Sequence, residues 1–525
     1  MSDAASTTMT DWRPRFNPWL IAAPVMLATF MVILDTSIVV VALPYIAGNL
    51  GATQDESTWV LTSYLVANAV ILPASAWFSS FFGRKRFLVA CTILFTLASV
   101  TCGVAISMPM LVVSRVLQGL GGGAMQPLAQ AILLESFPPT QRGTATALFG
   151  LGVVVAPIIG PTLGGWLTDQ FSWRWTFYVN LPVGVLAILL MILVVEDPPY
   201  IRGGRPGRID GIGFGLMGLF LGTLQIILDK GQDADWFAAV WLRWFAVICA
   251  ASFIGFIVRE LRTGHPIVDL RIFRNRNFAV SSVLFGLFGL IIYALITLQP
   301  LFLQSLLGYT AFDAGLSVTP RGVGALVAVL AVGALASRVN PKMLVALGFA
   351  LSAIASFFLS RLDLQMSMSN IVLPNIIAGL GSSCIFVPLT MLSIGTLRNE
   401  QIGNATGLQN LVRNIGGSIG LSFVSTMLER YAQAHQALMV GQLSPLNPEY
   451  RQHLEMAQNL LRLHFNPADA LIRARDLLYG TMLQQSSYWA FVDLFFVVAC
   501  LSALCVFCAS VFERPRQARA VALAE

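Results

Sequence analysis

Long apolar runs recur from residue 19 to residue 511 of this 525-residue chain, and they constrain its fold more than any other feature. A helix that crosses the hydrocarbon core of a bilayer needs about 20 predominantly apolar residues. Hydrophobic residues make up 56% of the chain and charged residues only 11%, whereas a soluble domain carries about 25% charged residues. The sequence therefore predicts an all-α membrane protein that crosses the bilayer many times.

Fourteen segments have the length and composition of a membrane-spanning helix, and we predict that each of them forms one. Their approximate bounds are residues 19–45, 57–78, 86–107, 110–134, 143–168, 174–195, 209–229, 238–260, 278–304, 313–336, 342–361, 370–395, 403–428 and 488–511. No cleavage site of small residues follows the first run, so we expect it to be retained as a helix rather than removed as a signal peptide.

A faint internal repeat indicates how these helices are grouped. Residues 79–95 resemble residues 336–352, and both form a short basic turn between two apolar runs. Parallel repeats of six helices are typical of one large class of transporters. The predicted organisation is a tail at 1–18, a six-helix bundle at 19–200, two inserted helices with linkers at 201–275, a second six-helix bundle at 276–512, and a tail at 513–525.

Basic residues are distributed unequally between alternate loops. One set of loops holds the cluster Arg84, Lys85 and Arg86 together with most other arginines, whereas Arg174 and Lys230 are among the few basic residues of the other set. Because cytoplasmic loops are enriched in lysine and arginine, both termini are predicted to be cytoplasmic. The net charge of +6 is scattered and forms no basic patch with interleaved aromatic residues, so nucleic acid is not expected as a partner.

The seven cysteines and four histidines do not form a chemical site in this sequence. The cysteines lie in apolar segments without metal-ligand spacing, so neither a disulfide framework nor a metal site is predicted. The histidines lie in loops, no HExxH motif occurs, and the nucleotide-binding pattern GxxxxGK[ST] is absent. A membrane-embedded enzyme and an ATP-driven pump are therefore both disfavoured.

One loop, at residues 429–487, is far longer than the others. Residues 451–463 and 468–484 have helical periodicity, and a structureless loop of this length is uncommon in a compact protein. We expect a small helical hairpin or a docking element on the outer face. A tolerated extracellular insertion is the alternative.

Two ionisable residues, Asp35 and Arg115, lie inside predicted spans at comparable depths. Charged groups within the membrane are costly and usually functional. The two side chains are expected to pair, directly or through Gln118 or water. A carboxylate between a low-dielectric surrounding and a cation suits a group that binds and releases a proton. A permanent structural ion pair is the alternative.

Two further arginines, Arg321 and Arg413, also lie within predicted spans. They either face a central cavity and meet an anionic substrate or a carboxylate, or they pair with backbone carbonyls at broken helix ends. Asp493 lies one or two turns inside the last span. Asp313 is expected at the outer end of the tenth span, where it helps to cap the helix.

Polar and aromatic residues within the spans are candidates for lining a substrate cavity. The candidates are Gln118, Gln126, Gln130, Tyr178, Asn180, Tyr293, Gln299, Asn410 and Arg413. Any one of them is more often a hydrogen bond between packed helices than a ligand contact. Gln126 and Gln130 are four residues apart and share one helix face.

The uncharged stretch at residues 150–165 reads GLGVVVAPIIGPTLGG. Its small residues recur every four positions, which lets another helix backbone approach closely. Pro157 and Pro161 are expected to kink the helix, so the stretch suits a bending contact between two bundles. An ordinary packing face is the alternative. The conformational residues predicted here are Gly152, Pro157, Gly160, Pro161, Gly164 and Gly165.

These features together resemble the major facilitator superfamily, and specifically its fourteen-helix drug:proton antiporters of the EmrB/QacA type. The resemblance runs over nearly the whole chain. Besides residues 150–165, it is carried by LDTSIVVVALP (34–44), SRVLQGLGGGAMQP (114–127), WRWTFYVNLPVG (173–184), HPIVDLRIF (265–273), LGYTAFDAG (307–315) and RNIGGSIG (413–420).

The resemblance implies an exporter in a bacterial inner membrane that is driven by the proton gradient and needs no cofactor. Asp35 matches the acid that the family uses for proton coupling, and Arg115 matches the arginine of its fourth helix. Amphipathic compounds and protons would be exchanged by rocking of the two bundles within the lipid. A periplasmic adaptor and an outer-membrane channel are implied as partners, and residues 429–487 are a candidate docking element.

The chain departs from the family pattern in the turn between its second and third helices. The family has an acid where this chain has Ser80, while Gly83, Arg84 and Lys85 match the pattern. The resemblance assigns these three residues to conformational gating, and Ser80 is expected to weaken the latch. An alternative function is the proton-coupled export of one metabolite class, such as fatty acids or siderophores.

Overall fold

A computed structural model describes residues 14–138, 141–198, 210–264, 266–335, 339–395, 397, 401–509 and 512. Most of the predicted N-terminal tail, the basic linker at 199–209 and the C-terminal tail lie outside these ranges. His265, the first residue of the motif at 265–273, lies outside them as well.

The described residues form helices connected by short loops. The helices are α1 Pro18–Leu50, α2 Gln54–Phe82, α3 Arg84–Gly103, α4 Met108–Ser136, α5 Arg142–Gln170, α6 Trp175–Tyr178, α7 Asn180–Val194, α8 Gly211–Lys230, α9 Val240–Arg262, α10 Arg276–Leu307, α11 Ala311–Val318, α12 Pro320–Leu335, α13 Pro341–Leu359, α14 Ser369–Ile394, α15 Ile402–Val440, α16 Pro448–Leu461 and α17 Pro467–Cys508. Two short 3-10 helices, Trp236–Ala238 and Leu270–Arg274, precede α9 and α10.

The helical, membrane-spanning class predicted from the sequence is confirmed. Within the described ranges, 11 helices are long and apolar enough to cross a membrane. Each of the fourteen predicted segments also falls on a helix or on a broken helix. The glycine-rich helices α4, α5 and α15 are not among the 11, although all three pack inside the bundle.

Local sequence signals explain where several helices begin and end. Thr53 and Glu56 form a reciprocal capping box at the start of α2, which satisfies two backbone donors. Gly51 ends α1 in the left-handed conformation at φ 62°, which glycine adopts without steric cost. Thr310 caps α11: its Oγ1 accepts from the backbone N–H of Asp313 and donates to Oδ2 of Asp313, so Asp313 lies in the first turn and supports the cap.

Two predicted helices are interrupted in the structure. The predicted span 313–336 is divided into α11 and α12, because Pro320 cannot donate a backbone hydrogen bond and begins a new helix. The predicted span 174–195 is likewise divided into α6 and α7 at Val179. Both segments were predicted as single helices.

The helices predicted at 451–463 and 468–484 are formed as α16 and the start of α17, which pack against each other as a hairpin. Helix α15 continues to Val440, and α17 begins at Pro467, so most of the segment extends two long helices. Only α16 is a separate helix, and it packs against α17. The polar periodicity of this segment indicated helix correctly, but it did not show that the helices are continuous with the spans.

The helices pack as two groups, α1–α7 and α10–α17, that meet along α5 and α15. Helix α5 contacts α11, α12 and α14, while α15 contacts α2 and α4. The inserted helices α8 and α9 pack against each other, and α8 also contacts α2 and α15. Two helices of opposite groups therefore carry most of the contact between them.

One end of the bundle holds the start of α1 and the end of α7, and we call it the terminal face. There the backbone N–H of Arg15 donates to Oε2 of Glu196 at 3.3 Å. The opposite face holds the start of α2 at Gln54, the end of α8 at Lys230, and the extended ends of α15 and α17.

Candidate functional site

The predicted pair of Asp35 and Arg115 is formed directly. Nη1 of Arg115 lies 2.6 Å from Oδ2 of Asp35, and neither side chain has any exposed surface. A cation and an anion at this distance form a strong charge-assisted hydrogen bond. Burying both charges is costly, so the surroundings must supply further hydrogen bonds.

Two amide side chains supply those bonds to the other carboxylate oxygen. Nε2 of Gln118 donates to Oδ1 of Asp35 at 2.9 Å, and Nδ2 of Asn180 donates to the same atom at 2.7 Å. Nη1 of Arg115 also donates to Oε1 of Gln118 at 2.8 Å. Gln118 was predicted both beside this pair and in a cavity, whereas Asn180 was predicted only in a cavity; both lie around the carboxylate.

The guanidinium of Arg115 is held in place by α2. Its Nε donates to the backbone oxygen of Val60 at 3.0 Å, and its Cζ lies 4.3 Å from the centre of the Tyr64 ring. A cation over an aromatic face is stabilised by the ring quadrupole. Nη2 of Arg115 is buried and has no hydrogen-bond partner among the described residues.

Five helices of the first group therefore meet at one ionisable group. Asp35 comes from α1, Arg115 from α4 and Asn180 from α7, while Nδ2 of Asn180 also donates to Oγ of Ser99 on α3 at 3.0 Å. Protonation of Asp35 removes the charge that holds Arg115. A single proton thus changes contacts that tie these helices together.

A second cluster of predicted residues lies between the two groups of helices. It surrounds a narrow void with no room for a water-sized molecule, whereas a small-molecule site has a volume of roughly 300 Å³ or more. The void is lined by Gln130, Phe285, Phe386, Gln409, Asn410 and Arg413.

Glutamine, asparagine and arginine side chains form hydrogen bonds between α4 and α15 here. Nη2 of Arg413 donates to Oε1 of Gln126 at 2.8 Å, and Nδ2 of Asn410 donates to Oε1 of Gln130 at 2.9 Å. Gln126 and Gln130 therefore share one face of α4, as predicted, and this face points toward the second group of helices. In this conformation these four residues bind one another.

The two further buried arginines donate to neutral side chains in this conformation, and Arg413 lines the central void. Nη2 of Arg321 donates to Oε1 of Gln299 at 3.1 Å, and Arg321 is only 1% exposed. Within the described ranges, the hydrogen bonds of Arg321 and Arg413 go to glutamine side chains, not to a carboxylate or a backbone carbonyl. Sequence spacing could not identify these neutral partners.

Two aromatic candidates are not among the residues that line the central void. The ring of Tyr178 occupies the space beside Gly103, near the end of α3. The ring of Tyr293 packs against Gly417 on α15, and the residue is 43% exposed. Asp493 contacts His435, with Oδ2 and Nε2 separated by 2.7 Å.

The small residues of α5 form a close contact with α1, as their spacing predicted. A Cβ atom at Gly164 would lie 2.9 Å from the backbone oxygen of Ile38, and one at Gly152 would lie 2.6 Å from Cε of Met26. Gly160 faces Ser37 at similarly close range, whereas a Cβ at Gly165 would have its nearest neighbour at 3.9 Å.

The same helix also touches the second group. A Cβ atom at Gly315 on α11 would lie 3.3 Å from Cβ of Pro161, and a Cβ at Gly150 would lie 2.9 Å from Cδ1 of Phe386. Helix α5 is continuous from Arg142 to Gln170, although the side chain of Pro157 lies outside the described part. The predicted kink stays a prediction.

The basic turn between α2 and α3 has acidic partners in spite of Ser80. Arg84 forms a buried ion pair with Glu135 at the end of α4. The backbone N–H of Lys85 donates to Oδ1 of Asp197 at 2.7 Å, while Oγ of Ser80 donates to the backbone oxygen of Trp77. Glu135 and Asp197 were missed because both lie far from the turn in sequence.

Comparison with known proteins agrees with this architecture. Residues 25–421 match the Major Facilitator Superfamily. The chain is 37% identical over 423 residues to the multidrug export protein EmrB of Escherichia coli strain K12, which covers 80% of this chain and 82% of that protein. It is 36% identical over 419 residues to the fatty acid resistance protein FarB of Neisseria gonorrhoeae, with 80% and 82% covered.

A solved structure supports the fold independently of sequence identity. The proton:xylose symporter XylE matches with a TM-score of 0.57 at 14% identity, over 92% of this chain and 94% of that one. This likeness concerns the fold alone, whereas the family match and the identity to EmrB concern the sequence. The chain therefore belongs to the Major Facilitator Superfamily and, within it, to the EmrB-like transporters.

Proposed function

We propose that this protein is a proton-coupled antiporter that exports amphipathic drugs and other toxic compounds across a bacterial inner membrane. The observation that carries the proposal is the buried Asp35, whose carboxylate accepts hydrogen bonds from Arg115, Gln118 and Asn180. The relative EmrB is named a multidrug export protein, which agrees with this proposal.

Proton exchange at Asp35 is the coupling step. When the carboxylate of Asp35 is charged, it holds Arg115 and Gln118 of α4 and Asn180 of α7. A proton that enters from outside neutralises the carboxylate and weakens these contacts, which favours rocking of the first bundle. Release of the proton to the cytoplasm restores the charge, and each cycle carries substrate in the opposite direction.

Substrate passes between the two bundles. The void beside Gln130, Asn410 and Arg413 is too small for a drug-sized molecule, so the bundles separate around it when substrate binds. The bonds from Arg413 to Gln126 and from Asn410 to Gln130 break in that step. Their polar atoms then face the substrate, as the sequence analysis expected.

In the proposed topology, the protein crosses the membrane fourteen times and both of its termini are cytoplasmic. The bundles are residues 19–200 and 276–512, and the pair between them occupies 201–275. The distribution of lysine and arginine supports this orientation. The terminal face is then cytoplasmic, and the extended ends of α15 and α17 are periplasmic.

A periplasmic adaptor and an outer-membrane channel complete the proposed route. The periplasmic segment at 429–487 supports this part of the proposal, because helices that extend beyond a membrane span offer a rigid surface to a partner. Pull-down with an adaptor, before and after replacement of residues 441–466 by a short linker, tests the contact. Retained binding after this replacement would argue against docking through α16.

A second candidate function is the proton-coupled export of fatty acids. The relative FarB is named for fatty acid resistance, and the buried cation Arg413 lines the central void. A carboxylate would pair with this guanidinium when the bundles separate. This candidate uses the same proton site and differs only in the cargo.

Reconstituted protein tests the proposed exchange. Liposomes that contain a pH-sensitive dye are given a proton gradient, and ethidium or oleate is added. Ethidium-dependent proton flux that is lost in Asp35→Asn and kept in Asp493→Asn supports drug antiport through Asp35. Equal flux in wild type and Asp35→Asn refutes that proton site, while flux with oleate alone favours the fatty acid exporter.

A further inference from the structure

A larger cavity lies on the opposite face, away from the central void. It has a volume of about 330 Å³ and lies between α2, α8 and α15. Its walls are formed by Thr58, Gln225, Leu228, Asp229, Lys230, Gln232, Asp233, Ser418, Leu421, Ser422, Ser425 and Glu429. The residues around Asp35 and those around the central void are not part of this lining.

The lining of this outer cavity carries an excess of negative charge. Three carboxylates, on Asp229, Asp233 and Glu429, face a single ammonium group on Lys230. Nζ of Lys230 lies 3.1 Å from Oδ2 of Asp233, three residues further along the chain. Nζ of Lys230 also donates to Oγ1 of Thr58 at 2.6 Å, so the one cation of the lining is already engaged.

The other two carboxylates have neutral hydrogen-bond donors within the described residues. Oδ2 of Asp229 accepts from the hydroxyl of Thr62, and Oε2 of Glu429 accepts from Nε2 of Gln232 at 2.6 Å. Asp229 is half-buried and is the second-last residue of α8, beside Lys230. A carboxylate that is partly removed from water is stabilised by a further cation.

A buried hydroxyl provides an independent sign of a missing ligand. Ser422 lines the cavity and is only 5% exposed, yet its Oγ has no hydrogen-bond partner among the described residues. Buried polar atoms are nearly always paired, because an unpaired one loses its hydration without compensation. A ligand with N–H donors would satisfy both this oxygen and the carboxylates.

The size and the chemistry of the walls define the class of ligand. The volume falls at the lower end of the range for small-molecule sites, about 300–1,000 Å³. Leu228 and Leu421 add apolar surface to the lining. No group of three acidic, histidine or cysteine side chains in the described part of the chain is arranged to hold a metal ion. A bare divalent cation therefore fits the cavity poorly.

We infer that the outer cavity binds an organic ammonium cation with an apolar body. The ammonium group lies between Asp229 and Glu429 and donates to Oγ of Ser422, while the apolar body lies against Leu228 and Leu421. This inference assigns a role to α8, one of the two inserted helices. It concerns binding alone, so it does not depend on proton exchange at Asp35.

Photolabelling of the full-length protein in lipid nanodiscs, without a proton gradient, tests the inference. The probe is 4-azidophenethylammonium, and its control is the uncharged 4-azidophenethyl alcohol. We expect the ammonium probe to label peptides covering 221–233 and 415–430. We expect the alcohol to label them at least about tenfold less, because it lacks the charge-assisted bonds.

Charge-neutral variants identify the residues responsible. Asp229→Asn with Glu429→Gln keeps the size and the acceptor oxygens, and it should reduce labelling about tenfold. Ser422→Ala, which leaves all charges in place, should reduce it by a smaller factor. The matched control is Asp235→Asn, since Asp235 is exposed, does not line the cavity, and has a φ of 51° that asparagine also tolerates.

Three results would overturn the inference. These are equal labelling by the charged and uncharged probes, unchanged labelling in the Asp229→Asn and Glu429→Gln double variant, and labelling confined to peptides around Phe386 and Asn410. None of these results would bear on flux through Asp35. A failure of the antiport experiment would likewise leave the labelling result standing.

Discussion

The guanidinium of Arg413 donates from Nη2 to Oε1 of Gln126 at 2.8 Å, and this bond joins the second group of helices to the first. The arginine is 4% exposed, and its Nη1 has no hydrogen-bond partner within the described residues. Hydrogen bonds to buried charged groups contribute about 1.5–3 kcal/mol. This contact therefore holds α4 and α15 together in the conformation seen.

Removal of the side-chain amide of Gln126 should loosen the contact between α4 and α15. Gln126→Ala is expected to speed hydrogen–deuterium exchange about tenfold at residues 124–131 and 406–413, since it removes one charge-assisted bond. Gln433→Ala, on the extended part of α15, is the control and should leave these amides unchanged. Unaltered exchange in Gln126→Ala would show that the bond does not hold the helices together.

The ion pair of Arg84 and Glu135 should be important for stability. Both side chains are nearly buried, with 7% and 4% of their surface exposed. Glu135→Gln leaves the arginine without its carboxylate, and loss of one partner of a buried pair costs about 3–5 kcal/mol. We expect a clear decrease in melting temperature in detergent. A double variant that also carries Arg84→Gln should be less destabilised than the sum of the singles.

The capping residue of α8 should make stability depend on pH. Arg259 donates to Asp210 from Nε at 2.7 Å and from Nη2 at 3.2 Å, which lowers the pKa of this carboxyl below its usual range. A lowered pKa stabilises the fold above the pKa of the unfolded chain, and the contribution is lost as the pH falls through the folded-state pKa.

Melting curves at decreasing pH test this contribution of Asp210. Wild type should lose more stability between about pH 5 and pH 3 than Asp210→Asn. Asparagine still caps the helix, so the difference between the two proteins reports the ion pair alone. Arg259→Gln should flatten the pH profile in the same way. Parallel profiles for wild type and Asp210→Asn would contradict this account.

The contact between α5 and α1 should tolerate a methyl group at one glycine and not at its neighbour. A Cβ at Gly164 would approach the backbone oxygen of Ile38 to 2.9 Å, whereas one at Gly165 would make only an ordinary contact at 3.9 Å with Cγ1 of Val41. Gly164→Ala is expected to cost about 1–3 kcal/mol through overpacking and to slow transport. Gly165→Ala should resemble wild type in melting temperature and flux. Equal effects at both sites would refute a specific close contact.

Much of the fold and one site could be predicted because the signals are local. Apolar runs locate the helices directly, since each must satisfy its own backbone inside lipid. Asp35 and Arg115 could be paired because two charges at similar depth have few other partners in a membrane. The four-residue spacing of small residues likewise indicated that α5 packs closely against another helix.

The remaining contacts depend on how helices are rotated and how far they extend. Gln126 and Arg413 are 287 positions apart, and no periodicity indicates that they meet. Asn180 was expected in a cavity but donates to Asp35, because the break after α6 sets its direction. The outer cavity was missed altogether, since its acidic residues come from helix ends that hydropathy treats as boundaries.

The central claim, that Asp35 carries the exchanged proton, is tested most directly by proton release on substrate binding. Purified protein in weakly buffered detergent solution is mixed with ethidium while a pH indicator is followed, and ethidium binding is measured in parallel. The account predicts that wild type releases protons on binding and that Asp35→Asn binds ethidium but releases none. Equal proton release from wild type and Asp35→Asn, at equal occupancy, would contradict it.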